Sequence, residues 1–196
     1  MKFTTFAISI AAAALLIPGA KAQDTTTGNT NSPTIDQRKQ NQQQRIGEGI
    51  ENGSLTAGEA GRLEKKEAVI NKEENKAKSD GNFTAAERAR ITRQQNRLSH
   101  QIYTQKHDGQ NQPKPNGLIN TRKYNQQQRI GEGVENGSLT AGEAAKLESK
   151  EAKLNREERN MKSDGNFAPA ERAKINRQQN RLSKGIYRQK HDGQTR

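Results

Sequence analysis

Glu67 and Glu74 stand seven residues apart on one face of a helical pattern, and paired carboxylates are the usual equipment of general acid–base catalysis. The next helical pattern crowds Arg90, Arg93 and Arg97 opposite them, so the spacing predicts an interhelical ion-pair network instead. An aromatic content of 4% leaves little material for a pocket wall. Of three histidines only His107 recurs, as His191, in the phrase Gln-Lys-His-Asp-Gly. A His beside an Asp could ligate a metal, but the phrase reads as a helix end, where a cation complements the dipole and Gly stops the helix. Ser99 and Ser183 have no activating partner in the sequence.

Asp80, Gly81, Phe83 and Glu87 match the second half of a calcium-binding EF-hand loop. The first two ligand positions would then be Lys76 and Lys78, or Asn160 and Lys162 in the later counterpart, and ammonium groups cannot hold a divalent cation. With no phosphate-binding Gly loop and no Cys, the sequence predicts neither an enzyme nor a cofactor or metal site.

The elements that carry these residues are written twice. Residues 41–110 return at 125–194 with an offset of 84, and most changes are mild, as in Ile50 to Val134 or Lys72 to Arg156. Each copy reads as three helices separated by two turns. Asn52-Gly53 and Asp80-Gly81 supply the left-handed residue that ends a helix, and Thr56 or Thr84 caps the next with Glu59 or Glu87 three residues on. Thr140 and Glu143 repeat the device, whereas Ala168-Pro169 drops the hydroxyl and relies on proline at the first helical position.

Apolar steps of three and four run through Ala60, Leu63 and Ile70, then through Ile91, Leu98 and Ile102. The first helix is weaker, with Ile35, Ile46 and Ile50 in a Gln/Asn-rich run that contains Gly47 and Gly49. The expected fold is all-α: two tandem three-helix units, at 35–108 and 119–192, with EF-hand-like but metal-less turns. A polar leader over 23–34 and a linker over 109–118, Pro113 and Pro115 among its residues, are expected to lack structure.

Residues 1–22 have the form of a secretory signal peptide: Lys2, an apolar stretch from Phe6 to Ile17, then Ala20-Lys21-Ala22. The stretch is too short to span a membrane. The expected address is therefore periplasmic or secreted. Cleavage would take two lysines and leave 32 basic against 22 acidic side chains, a formal charge of +10. The whole chain is 28% apolar, against about 45–50% on a similar count for globular chains. A thin core follows, compatible with marginal stability, homodimerisation or partial disorder.

The surplus charge gathers on the third helix of each copy. Arg90, Arg93 and Arg97, with Arg177, Arg181 and Arg188 in the second copy, are the residues expected to bind a partner by electrostatic capture. Acidic protein clients or anionic envelope components suit such a face. Nucleic acid suits it less, because export and the scarcity of interleaved aromatics beyond Tyr103 and Tyr187 remove a stacking platform. A structural or cation-responsive module built on the Asp-Gly turns is the other reading of the same residues.

The phrases Leu55-Thr56-Ala57-Gly58-Glu59, Leu139-Thr140-Ala141-Gly142-Glu143 and Phe83-Thr84-Ala85-Ala86-Glu87 resemble the Leu-Thr-x-x-Gln signature of the Spy/CpxP family of periplasmic stress proteins, with Glu where that family has Gln. The unit is also similar to repeats in uncharacterised exported bacterial proteins. The first resemblance implies an ATP-independent chaperone or envelope-stress protein with a helical cradle.

Overall fold

A computed structural model describes residues 30–112 and 117–194. The signal peptide and most of the expected leader lie outside them. Six helices follow in order: α1 (Pro33–Glu51), α2 (Ala57–Ala77), α3 (Ala85–Lys106), α4 (Gly117–Glu135), α5 (Ala141–Met161) and α6 (Pro169–Lys190). No strand occurs among the described residues. Two boundaries differ from expectation: α1 begins inside the predicted leader and α4 inside the predicted linker. Pro33 sits in the first turn of α1, where its missing N–H costs nothing, and the Ser32 hydroxyl, buried beside α2, accepts from Lys78 Nζ at 2.8 Å.

The turns form as their residues dictate. Gly53, Gly81, Gly137 and Gly165 hold φ between 76° and 80°, the left-handed region that only Gly enters freely. Thr56, Thr84 and Thr140 each accept from the N–H three residues on, while the Glu there accepts the threonine N–H at 2.9 Å. At α6 only the second half survives, with Glu171 accepting from Ala168 N–H at 2.9 Å. Thr140→Ala should therefore lower stability by about 1 kcal/mol, read as a shifted urea midpoint. Ala168→Thr should raise it by a similar or smaller amount.

The two copies pack through matching helices. α1 lies against α4 and α2 against α5, and these are the most extensive helix contacts in the molecule; α3 then covers α1 and α2, and α6 covers α4 and α5. The arrangement is reciprocal, as in an isologous dimer. A Cβ on Gly47 would come within 3.1 Å of the Gly131 carbonyl and overlap Glu135, and one on Gly131 would meet Gly47 and Glu51 in the same way. Gly49 and Gly133 leave room for the buried side chains of Leu55 and Leu139. The glycines that weaken the first helix as a sequence pattern are thus what let two helices touch backbone to backbone.

Ile46, Ile50, Leu63, Ile91, Leu98 and Ile102, with their counterparts, supply the oil. Amides supply the rest. Gln42, buried on α1, donates to the Gln95 carbonyl at 2.6 Å and to Ser99 Oγ at 2.9 Å, and Gln95 returns a bond to the Ile35 carbonyl at 3.0 Å. Gln126 and Gln179 repeat this between α4 and α6. Such bonds hold α1 to α3 where the apolar stripe is too narrow to do so alone. Gln112, within the expected linker, ties the copies by donating to the Leu55 carbonyl and to Gln127 Oε1, at 2.8 and 2.7 Å.

Candidate binding faces and grooves

The six arginines singled out in the sequence are all exposed. Helical geometry puts Arg90, Arg93 and Arg97 on one stripe of α3, and Arg177, Arg181 and Arg188 on the corresponding stripe of α6. Arg90 differs from the others in having an acid partner, Glu73 Oε2 at 3.0 Å. Its counterpart Lys174 reaches Glu157 at 3.8 Å. Among the described residues no carboxylate pairs with Arg93, Arg97, Arg177, Arg181 or Arg188, so their charge is uncompensated within the fold.

The expected network from Glu67 and Glu74 to α3 is not the one that forms. Glu73, one residue round the helix, faces α3, while Glu74 turns to Lys78 at 2.5 Å and to Lys39 on α1 at 3.8 Å. Glu67 is buried, as is its counterpart Glu151. Residues seven apart share a face, and that face looks toward the other helices of the core, leaving position 73 on the flank.

Several basic side chains near the arginine stripes are spent on the fold. Arg88 and Arg172 donate to the carbonyls of Phe83 and Phe167 and lie over those rings, 5.6 and 5.7 Å from the centroids. Lys106 binds the Arg45 carbonyl at 3.1 Å and Glu48, and Lys190 does the same at Arg129 and Glu132. His107 caps α3 with Nδ1 against the Tyr103 carbonyl at 2.7 Å and its ring stacked on Tyr103; His191 repeats this on Tyr187. Asp80 Oδ1 accepts the Asn82 N–H at 2.9 Å, a local turn bond. No group of three or more His, Asp or Glu side chains is placed to hold a metal among the described residues.

Each arginine stripe borders a groove. Between α2 and α3 an open trough of about 460 Å³ has the buried Ile70 and Leu98 at its base, the half-exposed Val69 at its edge, and Arg62, Lys65, Lys66 and Arg97 along its walls. Between α5 and α6 the matching trough, about 340 Å³, has Leu154 and Leu182 at its base beneath Lys150, Lys153 and Arg181. The sequence reading located the basic face on the third helix and missed the contribution of the second. Arg62, Lys65, Lys66 and Val69 follow one another at helical spacing, opposite the buried face of α2, which was the available signal.

A second feature escaped the sequence reading. Glu64 and Glu148, together with Glu67 and Glu151, are buried where α2 and α5 meet. Gln43 donates to Glu64 at 3.2 Å and Gln127 to Glu148 at 3.1 Å. Burial pushes the Glu148 carboxyl well above the usual carboxylate range; the bond from Gln127 draws it back in part, and Glu151 and Glu64 push it further up. Burial likewise raises Glu151, against the pull of Lys123 and with the push of Glu158, to about 7. Glu158 ends below its ordinary value, because burial is outweighed by bonds from Lys123 and Lys162.

Neither a known protein family, nor a curated protein, nor a solved structure matches the chain. The geometry of the basic faces and their grooves is what characterises the candidate site.

Proposed function

We propose that this is an exported, non-enzymatic binding protein whose two basic helical faces capture acidic partners. One observation carries the reading: five of the six stripe arginines are exposed and without a carboxylate partner among the described residues. Keeping like charges together on one face is electrostatically unfavourable, and an anionic partner relieves that cost. The duplication supports it further, because two similar faces on one molecule engage a partner with repeated acidic segments at a raised effective concentration.

Of the carboxylates that could have served acid–base chemistry, Glu67 is buried in the core and Glu74 is held by Lys78 and Lys39. An ATP-independent chaperone or envelope-stress protein, capturing exposed acidic segments of client proteins, is the role that fits best. Binding of an acidic client should weaken by about tenfold or more as salt rises from roughly 50 to 300 mM, because the screening length falls from about 14 Å to about 6 Å over that range. Isothermal titration at several salt concentrations measures this. Salt-independent binding would remove the electrostatic basis of the reading.

A further inference from the structure

The two grooves differ in a way that their shared ancestry in sequence conceals. Position 69 is Val, 49% exposed at the edge of the α2/α3 trough, and the equivalent position in the second copy is Lys153. Lys153 lies 4.0 Å from Glu157, so the second trough carries its own counter-charge. In the first trough Lys66 bonds Gln101 Oε1 at 2.7 Å and Arg62 bonds Gln105 Oε1 at 3.3 Å, both neutral amides. Lys65 and Arg97 meet no acid among the described residues. The α2/α3 trough therefore joins four cations without an acid partner among the described residues to an apolar surface extended by Val69, whereas the α5/α6 trough has Lys153 in place of that valine and Glu157 among its cations.

Resting on the capture function above, we infer that the α2/α3 trough is the primary client site, and that it takes an acidic peptide segment with aliphatic side chains. The cations are distributed along the trough, three on α2 and one on α3, and not gathered at one end. A single-headed amphiphile carries its charge at one end and would leave most of them unmatched. A peptide with several carboxylates spaced among leucines or valines matches both the line of charge and the floor, and docking against a helical groove is a standard mode of peptide recognition. Burying Val69 on contact adds an apolar contribution that pure charge attraction lacks.

Fluorescence anisotropy with the full chain tests this, using a labelled peptide of about twelve residues that alternates Glu and Leu, and an oligoglutamate of equal charge as comparison. Val69→Lys raises the positive charge while removing the exposed apolar edge of the trough and leaving Ile70 and Leu98 in place. It should weaken the Glu/Leu peptide by about tenfold and leave oligoglutamate as tight or tighter. Lys153→Val should tighten the Glu/Leu peptide by adding a second such edge. If Val69→Lys binds the Glu/Leu peptide as well as the parent does, the trough assignment falls while electrostatic capture stands. If phosphatidylglycerol vesicles or oleate displace the peptide and depend on Val69 more strongly, the occupant is a lipid and the assignment is overturned. If the parent binds none of these anions at low salt, the capture function falls with it.

Discussion

A Gly47→Val, Gly131→Val double variant is expected to lose on the order of 3 kcal/mol or more of stability, the largest effect that any surface-neutral change should have on this molecule. Each valine would force a branched Cβ against the carbonyl of the facing glycine, 3.1 Å away, and into the side chain of Glu135 or Glu51. Overpacking of this kind costs about 1–3 kcal/mol per site, and backbone on the far side of the contact leaves few ways to relax. The two sites share one contact, so their effects need not add. A thin-cored domain has only about 5–15 kcal/mol to lose.

Gly142→Ala makes the natural comparison, because a Cβ there meets nothing within 4 Å and helix propensity alone predicts a gain of up to about 1 kcal/mol. Urea unfolding of the three proteins separates the cases. A double variant that unfolds at the parental midpoint would show that α1 and α4 do not approach as described.

Stability should also fall as the pH rises from about 4.5 through about 7. Glu151 is held up at about 7 against an ordinary 4.5, so across this interval the folded protein keeps a proton that the unfolded chain has released. The stabilisation is complete at the acid end of the interval and is lost as the pH climbs through the folded value. For Glu151 the difference corresponds to on the order of 3 kcal/mol. Glu148, displaced in the same direction by burial, adds to the decline. Glu158 works with the opposite sign, favouring the fold once ionised and weakening it as acid protonates the group.

Thermal melts between about pH 5 and pH 9 should show Tm falling with pH, and Glu148→Gln with Glu151→Gln should flatten the slope. A melting temperature that climbs steadily over this range would mean that the carboxylates are not buried between α2 and α5.

Local chemistry was legible. Threonine caps, Asn-Gly and Asp-Gly stops and the proline start of α6 act within a few residues, so Thr56, Gly53 and Pro169 occupy the positions that their types imply. The exposure of Arg93 and Arg97 was legible too, because helical spacing sets them away from Ile91, Leu98 and Ile102. What Gly47 does was not. Read along the chain it only lowers helix propensity, and its value appears when a second helix lies against it. Glu64 and Glu148 similarly read as ordinary solvated charges until the opposing helix covers them.

The sequence by itself determined six helices, the starts and stops that carry a cap or a glycine turn, and a surplus of positive charge on the last helix of each copy, because capping, periodicity and charge are properties of neighbours in the chain. Only the tertiary structure decided that the copies pack helix to matching helix, that Glu64 and Glu148 are enclosed between α2 and α5, and that α2 and α5 each contribute the second wall of a basic groove. The first two depend on contacts between residues distant in sequence, whose energies come from burial and desolvation and leave no local trace in the order of the amino acids, and the third joins a spacing visible in α2 to a neighbour that only the packing supplies.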